Sequence, residues 1–233
     1  MIVRSTGVKE ESIRPTRTFE QFFRHVKGLG FDPSICIDVG AGFGTGVIYE
    51  AFPKALHIVF EPLPDFQERL RNRLKGFRHE IHQCALMDAA GELEIMRAER
   101  NLLGSSLMHT RQAASDPRLM RVPVQRLDDV MAAHEVTGPV LLKTDCQGAD
   151  LLVVRGAEKT LEHCEIVILE VSLFSFWGDH QPDFTAIVNY MAERGYVVYD
   201  ILDGLFRPSD NALGQVDLAF VKRDGFLRAN RKW

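Results

Sequence analysis

The sequence predicts an α/β fold, a doubly wound and mostly parallel sheet of seven strands with a small inserted strand pair. Short apolar runs alternate with amphipathic stretches along most of the 233 residues, the pattern left by parallel strands and their crossover helices. The first run, Ile35-Cys36-Ile37-Asp38-Val39, passes directly into Gly40-Ala41-Gly42-Phe43-Gly44-Thr45-Gly46. Glycine tolerates positive φ and lets backbone amides approach a ligand closely, so this reads as a buried strand turning around a nucleotide-sized guest. Acids also close four runs, Asp38, Glu61, Asp145 and Glu170, at the strand ends where ligands bind in such a sheet.

The elements follow in order. Residues 18–29 place Phe19, Phe22, Phe23 and Val26 on one helical face. After the strand at 35–39 and its glycine turn, a helix runs to about residue 52. A strand at 57–60 is closed by Glu61-Pro62, and an arginine-rich helix covers 65–75. Residues 79–84 form the third strand. Residues 91–97 and 121–124 read as the inserted pair, flanking a polar segment. A helix at 127–134 leads to the buried strand 140–144, and another helix begins near Gly148. The strand 166–171, the helix 184–194 and closing strands at 196–201 and 216–221 complete the chain. Residues 1–34 read as a helical extension and 35–233 as one domain with an insertion at about 91–124.

Composition narrows the class. With 45% apolar residues and a formal charge of -4, the chain has the makeup of a soluble globular protein, and its acidic balance disfavours a broad phosphate-binding face. The apolar runs are too short to span a bilayer, and residues 1–11 lack the apolar core of a secretion signal. Cys36, Cys84, Cys146 and Cys164 show no C-x-x-C spacing. Three fall in or at the ends of strands as small hydrophobes, so a cytoplasmic location is expected. Cys146, beside Asp145, is better explained as a small side chain at a crowded strand end than as a nucleophile. No feature specifies an oligomeric state.

The glycine spacing identifies the guest. A dinucleotide loop needs G-x-G-x-x-G, yet the third position is Thr45 or Val47, and no Gly-Lys pair follows as a phosphate-cradling loop requires. What remains is D-x-G-x-G-x-G, the loop of class I S-adenosylmethionine-dependent methyltransferases, a Rossmann-like fold. In this reading Gly40, Gly42 and Gly44 give close backbone approach and Asp38 faces the ammonium end. Glu61 lies 21 positions after Gly40, near the spacing at which an acid reaches ribose hydroxyls. Cys84 and Ala85 offer a small apolar slot for adenine, with Pro62 opposite.

Asp38-Val39-Gly40-Ala41-Gly42-Phe43-Gly44, Phe60-Glu61-Pro62, the block Leu142-Lys143-Thr144-Asp145-Cys146-Gln147-Gly148-Ala149-Asp150, Arg155-Gly156-Ala157 and Leu169-Glu170-Val171 together resemble the FkbM family of methyltransferases. The resemblance runs from about Phe19 to Val221. Asp150 stands where glutamate is usual, and Cys146 where an aliphatic residue is commoner. The resemblance implies an S-adenosylmethionine-dependent O-methyltransferase acting on hydroxyls of sugars, polyketides or other secondary metabolites.

A hydroxyl is a poor nucleophile and needs a base as the bond forms, or a metal that lowers its pKa. Asp145, Glu170 and His180 are the candidate bases, Asp145 also bordering the cofactor. Asp145, Glu170, Asp179 and His180 are oxygen and nitrogen donors, but no H-x-H or D-x-D spacing gathers them, so no metal is expected. Ser105 and Ser106, in the glycine-serine segment from Asn101 to Leu107, are candidate acceptor contacts. So is Trp177, the most exposed expected of the aromatic group Phe174, Phe176 and Trp177. Other readings share the cofactor half: a catalytically inactive S-adenosylmethionine-binding module, or a methyltransferase acting on nucleic acid or protein. The basic tail Lys222, Arg223, Arg228, Arg231 and Lys232 is the one local feature that would suit nucleic acid, although a solvated tail is the commoner outcome.

Overall fold

A computed structural model describes residues 16–98, 102–106, 116–230 and 232. Residues 1–11, Asn101, Leu107 and Arg231, named above, lie outside them. Helix α1 (Phe19–Gly28) begins at Thr18, whose side chain accepts from the Gln21 amide while Gln21 returns a bond to the Thr18 amide. This reciprocal cap fixes the start of the helix. Phe22, Phe23 and Val26 are buried, the face that the sequence pattern marks.

The chain continues through β1 (Ile35–Val39), α2 (Gly46–Ala51), β2 (Leu56–Phe60), α3 (Pro64–Arg73), β3 (His79–His82), β4 (Ala85–Leu86), β5 (Gly91–Met96) and β6 (Leu119–Gln125). It then forms α4 (Leu127–Met131), β7 (Val140–Thr144), α5 (Asp150–Arg155), α6 (Glu158–His163), β8 (Cys164–Ser172), α7 (Phe184–Glu193), β9 (Tyr196–Phe206) and β10 (Leu213–Lys222). Seven strands form one sheet in the order β3-β2-β1-β7-β8-β10-β9. All neighbours are parallel except β10, which runs against β8 and β9.

Strand side chains alternate between faces, and both faces are buried. Ile37, Val39, Ile58 and Leu142 pack with the helices α4 to α7. Cys36, Val59, Leu141 and Ile168 pack with α1, α2 and α3 on the other side. The order of strands reverses between β1 and β7, so their carboxyl ends open a crevice there.

Three elements differ from the sequence reading. The third strand stops at His82, and Ala85–Leu86 leaves the main sheet to pair in parallel with β6. The inserted pair is thereby a three-stranded sheet, β4-β6-β5. The helix expected after Gly148 is broken into α5 and α6 at Gly156, where a Cβ would collide with the Met87 carbonyl oxygen. The closing hairpin is longer than expected, with β9 reaching Phe206 and β10 starting at Leu213. No helix among the described residues is long and apolar enough to cross a membrane.

Phe22 is fully buried between α1 and the sheet. Phe22→Ala is expected to cost about 3–5 kcal/mol of stability, measured by urea unfolding. A loss below about 1 kcal/mol would show that α1 is not part of the cooperative core.

Candidate active site

Three strand ends build the crevice. At the end of β1, Asp38 is fully buried and its carboxylate is taken up internally. The Thr45 amide donates to Oδ2 at 3.2 Å, the Thr45 hydroxyl to Oδ1 at 3.0 Å and the Tyr49 hydroxyl to Oδ2 at 2.5 Å. Gly40 and Gly42 then adopt φ of 71° and 54°. A Cβ on Gly40 would strike the Asp145 carbonyl oxygen, and one on Gly42 would lie 2.6 Å from Leu103 Cδ2. Only glycine combines this conformation with this closeness.

At the end of β2, Glu61 is 5% exposed. The Gly42 amide donates to its Oε2 and the Leu63 amide to its Oε1, both at 2.8 Å. One carboxylate therefore clamps the glycine turn to the start of α3. Burial raises its pKa to about 7, against the lowering pull of the Leu63 and Gly42 amides. Glu61, Gly40, Gly42, Pro62, Cys84, Ala85 and Asp145 line one cleft, where a few polar groups converge on apolar walls as in a small-molecule site.

Beyond β7 lies a cluster of charges. Lys143, 4% exposed, donates from Nζ to Asp145 Oδ2 at 3.1 Å. Burial alone would lower its pKa, but the carboxylates of Asp145, Asp38 and Asp217 outweigh burial and raise it. Gln147 Nε2 donates to Asp145 Oδ1 at 3.1 Å and to Glu170 Oε2 at 3.2 Å. Glu170 on β8 is pushed up to about 10 by burial and then by Asp145, Asp150 and Asp217. Asp217, its direct neighbour across the β8–β10 pairing, is raised to about 7 by burial, with Lys143 opposing. Burial and the neighbouring acids thus favour the protonated form of Glu170, whereas the Asp145 side chain is 37% exposed and lines the cleft.

The other sequence candidates divide. Ser105 lines the cleft, its Oγ accepting from the Ala98 amide at 3.1 Å. Ser106 is buried and donates to the Gln147 carbonyl oxygen at 2.7 Å. Gly44 turns away from the cleft toward Leu70, Arg73 and Tyr49. Asp38 likewise points into the loop rather than the cleft, because Thr45 and Tyr49 fill its oxygens. Trp177 is half-buried over Gly148, and the exposed rings are Phe174 and Phe176. His180 is exposed on the loop after β8 and lies outside the cleft. Burial, then Asp150 and Asp145, push the Cys146 thiol well above its ordinary range, so it stays neutral. Among the described residues no group of three or more His, Cys, Asp or Glu is arranged to hold a metal ion.

Sequence reasoning passed over Tyr49, Gln147 and Asp217. Tyr49 had one usable signal, its place four residues after Thr45 on a helix turn. Asp217 had another, a lone acid within the apolar run Val216 to Val221.

A glycine turn after the first strand, an acid after the second and a seven-stranded sheet with β10 alone reversed define the class I methyltransferase fold. The family model for the methyltransferase FkbM domain matches residues 38–198. The chain belongs to the FkbM methyltransferase family and is a methyltransferase. A search of curated proteins returns no similar sequence. Among solved structures, an rRNA methylase from Streptococcus thermophilus is 11% identical with a TM-score of 0.49, covering 90% of this chain and 98% of that one. Precorrin-6y C5,15-methyltransferase from Geobacter metallireducens is 14% identical with a TM-score of 0.43, covering 87% and 88%. M. jannaschii TYW2 in complex with AdoMet is 12% identical with a TM-score of 0.40, covering 87% and 76%.

Asp217 binds its proton more tightly folded than unfolded, where its value is 3.8. The stability from that proton is full below about pH 4 and is lost as pH rises through about 7. Asp217→Asn should therefore gain thermal stability relative to the parent at pH 8 and gain little at pH 4. An equal difference at both pH values in a melting experiment would refute the raised pKa.

Proposed function

We propose that this protein transfers a methyl group from S-adenosylmethionine to a hydroxyl oxygen of a small molecule, a sugar, polyketide or other secondary metabolite. The observation that carries the reading is one cleft holding the turn at Gly40 and Gly42, the Glu61 carboxylate, the small apolar side chains Cys84 and Ala85, and Asp145. These residues fit the cofactor. Each Glu61 oxygen accepts one amide and keeps a second lone pair, so both ribose hydroxyls can be received without opening the clamp. Cys84 and Ala85, with Pro62 across the cleft, form an apolar slot for adenine. When bound, S-adenosylmethionine supplies a methyl group on a positively charged sulfur.

The chain's own part is alignment, exclusion of water and removal of one proton. Asp145 is the proposed base: it faces the cleft, while Lys143 and Gln147 hold its two oxygens. Asp145 would take the proton of the acceptor hydroxyl, and the methyl's bond to sulfur would be exchanged for one to that oxygen, leaving the sulfur as a neutral thioether. Glu170, protonated, takes no proton and stands behind Asp145 as a neutral partner of Gln147. Ser105 at the cleft wall and the aromatic loop around Trp177 are proposed to border the acceptor. The net charge of -4 favours a small acceptor over a nucleic-acid backbone.

Calorimetric titration should show S-adenosylmethionine binding, with affinity rising from pH 6 to pH 8 as Glu61 ionises around its value of about 7. Glu61→Gln should flatten that rise, and Glu61→Ala should weaken binding at least tenfold. Binding that is equally tight in both variants would remove Glu61 from the site. Transfer of labelled methyl into a panel of hydroxyl compounds should be lost in Asp145→Asn, with cofactor affinity kept. Undiminished transfer in that variant would dismiss Asp145 as the base.

A further inference from the structure

We propose that Gln147 is a positioning residue: it aims the Asp145 carboxylate and ties it to the inserted segment at residues 102–106. The proposal rests on the reading of Asp145 as the base. Gln147 has φ of 49°, the left-handed region that a long L side chain rarely adopts and that clusters at functional sites. Gly148 follows at φ of 94°. Two left-handed residues in succession bend the chain leaving β7 back on itself, so the Gln147 side chain returns over Asp145.

Its amide nitrogen has two hydrogens and uses both, one toward Asp145 Oδ1 at 3.1 Å and one toward Glu170 Oε2 at 3.2 Å. Lys143 holds the other Asp145 oxygen at 3.1 Å. The carboxylate is thus fixed from both sides, in plane and in rotation. A primary amide suits this place because it donates to two acids while adding no charge. Glutamate would add an acid to a crowded group, and lysine would compete with Lys143 for Asp145.

The Gln147 backbone makes the second connection. Its carbonyl oxygen accepts from the Ser106 hydroxyl at 2.7 Å. Ser106 is joined to Met96 of β5 by two backbone bonds, at 2.9 and 3.2 Å. Leu103 of the same segment lies against Gly42. One residue therefore touches the base, a second acid and the segment that covers the glycine turn.

Gln147→Gly tests the side chain while keeping the backbone, because glycine adopts positive φ freely. Its melting temperature should equal or exceed the parent's, and S-adenosylmethionine affinity by calorimetry should stay within about twofold. In nitrogen-labelled protein, the side-chain amide signal absent from Gln147→Gly should exchange its hydrogens at least tenfold more slowly than free glutamine. That signal should also move in Asp145→Asn and, separately, in Glu170→Gln. An amide that exchanges at the free rate and ignores both substitutions overturns the proposal, with or without a known acceptor. With an acceptor from the methyl-transfer panel, kcat should fall at least tenfold in Gln147→Gly while KM stays within about twofold. An unchanged kcat also overturns it. Failure of the cofactor reading would appear in calorimetry alone, where the parent would not bind S-adenosylmethionine.

Discussion

The buried Asp38 carboxylate governs how the first strand meets the site. A charge removed from water must find partners, and here the glycine turn and α2 provide them through Thr45 and Tyr49. Tyr49 cannot trade roles with it, because burial and then Asp38 push the phenol far above its ordinary range. The turn is therefore held from beneath by a buried carboxylate with three donors and by a phenol that stays protonated. Held in this way, the Gly42 amide points at Glu61, and Glu61 passes the constraint to Leu63 and α3.

A second constraint is the count of charges around Lys143. It is one buried cation beside Asp145, Asp38 and Asp217, with Glu170 beyond them, and it cannot neutralise them all. The most crowded acid takes a proton, and Glu170 carries the largest rise of the group, to about 10. Asp145 accepts from the Lys143 ammonium at 3.1 Å and is open to the cleft. Asp145 and Glu170, bridged by the Gln147 amide, thus sit in unlike surroundings, one open to the cleft and the other pushed up by burial and its acidic neighbours.

Much of this was legible in the sequence. The central strands β1, β2, β7 and β8 follow from apolar runs because both of their faces are buried, and Glu61 follows from its spacing to Gly40. What escaped depends on contacts distant along the chain. The strand Ala85–Leu86 is two residues long and has no pattern of its own; its partner is Val124–Gln125 in β6. The break between α5 and α6 depends on Met87 approaching Gly156. Asp217 joins the acid cluster only because β10 reverses and sets it beside Glu170. The sequence points Asp38 at the ligand because a strand-end acid looks the same whether it turns inward or outward. Trp177 was read as exposed, whereas the ring covers Gly148 and leaves Phe174 and Phe176 outside.

The inserted sheet braces one wall of the proposed cofactor cleft. Leu63 and Phe66 share an apolar cluster with Ala85, Ile95, Val122 and Val124. The insertion is thereby packed on the same stretch of chain that carries Glu61 and begins α3. Apolar burial of several such side chains stabilises by about 1.5–3 kcal/mol each, far more than the roughly 1 kcal/mol of a hydrogen bond such as that from Ser106 to Gln147. The wall that carries Glu61 is consequently braced by an apolar cluster, whereas the segment at residues 102–106 is tied to Gln147 by the Ser106 hydrogen bond. On the proposed function, changes in that segment and in the aromatic loop after β8 would reshape the acceptor side while the apolar cluster keeps Glu61 and the proposed adenine slot in place.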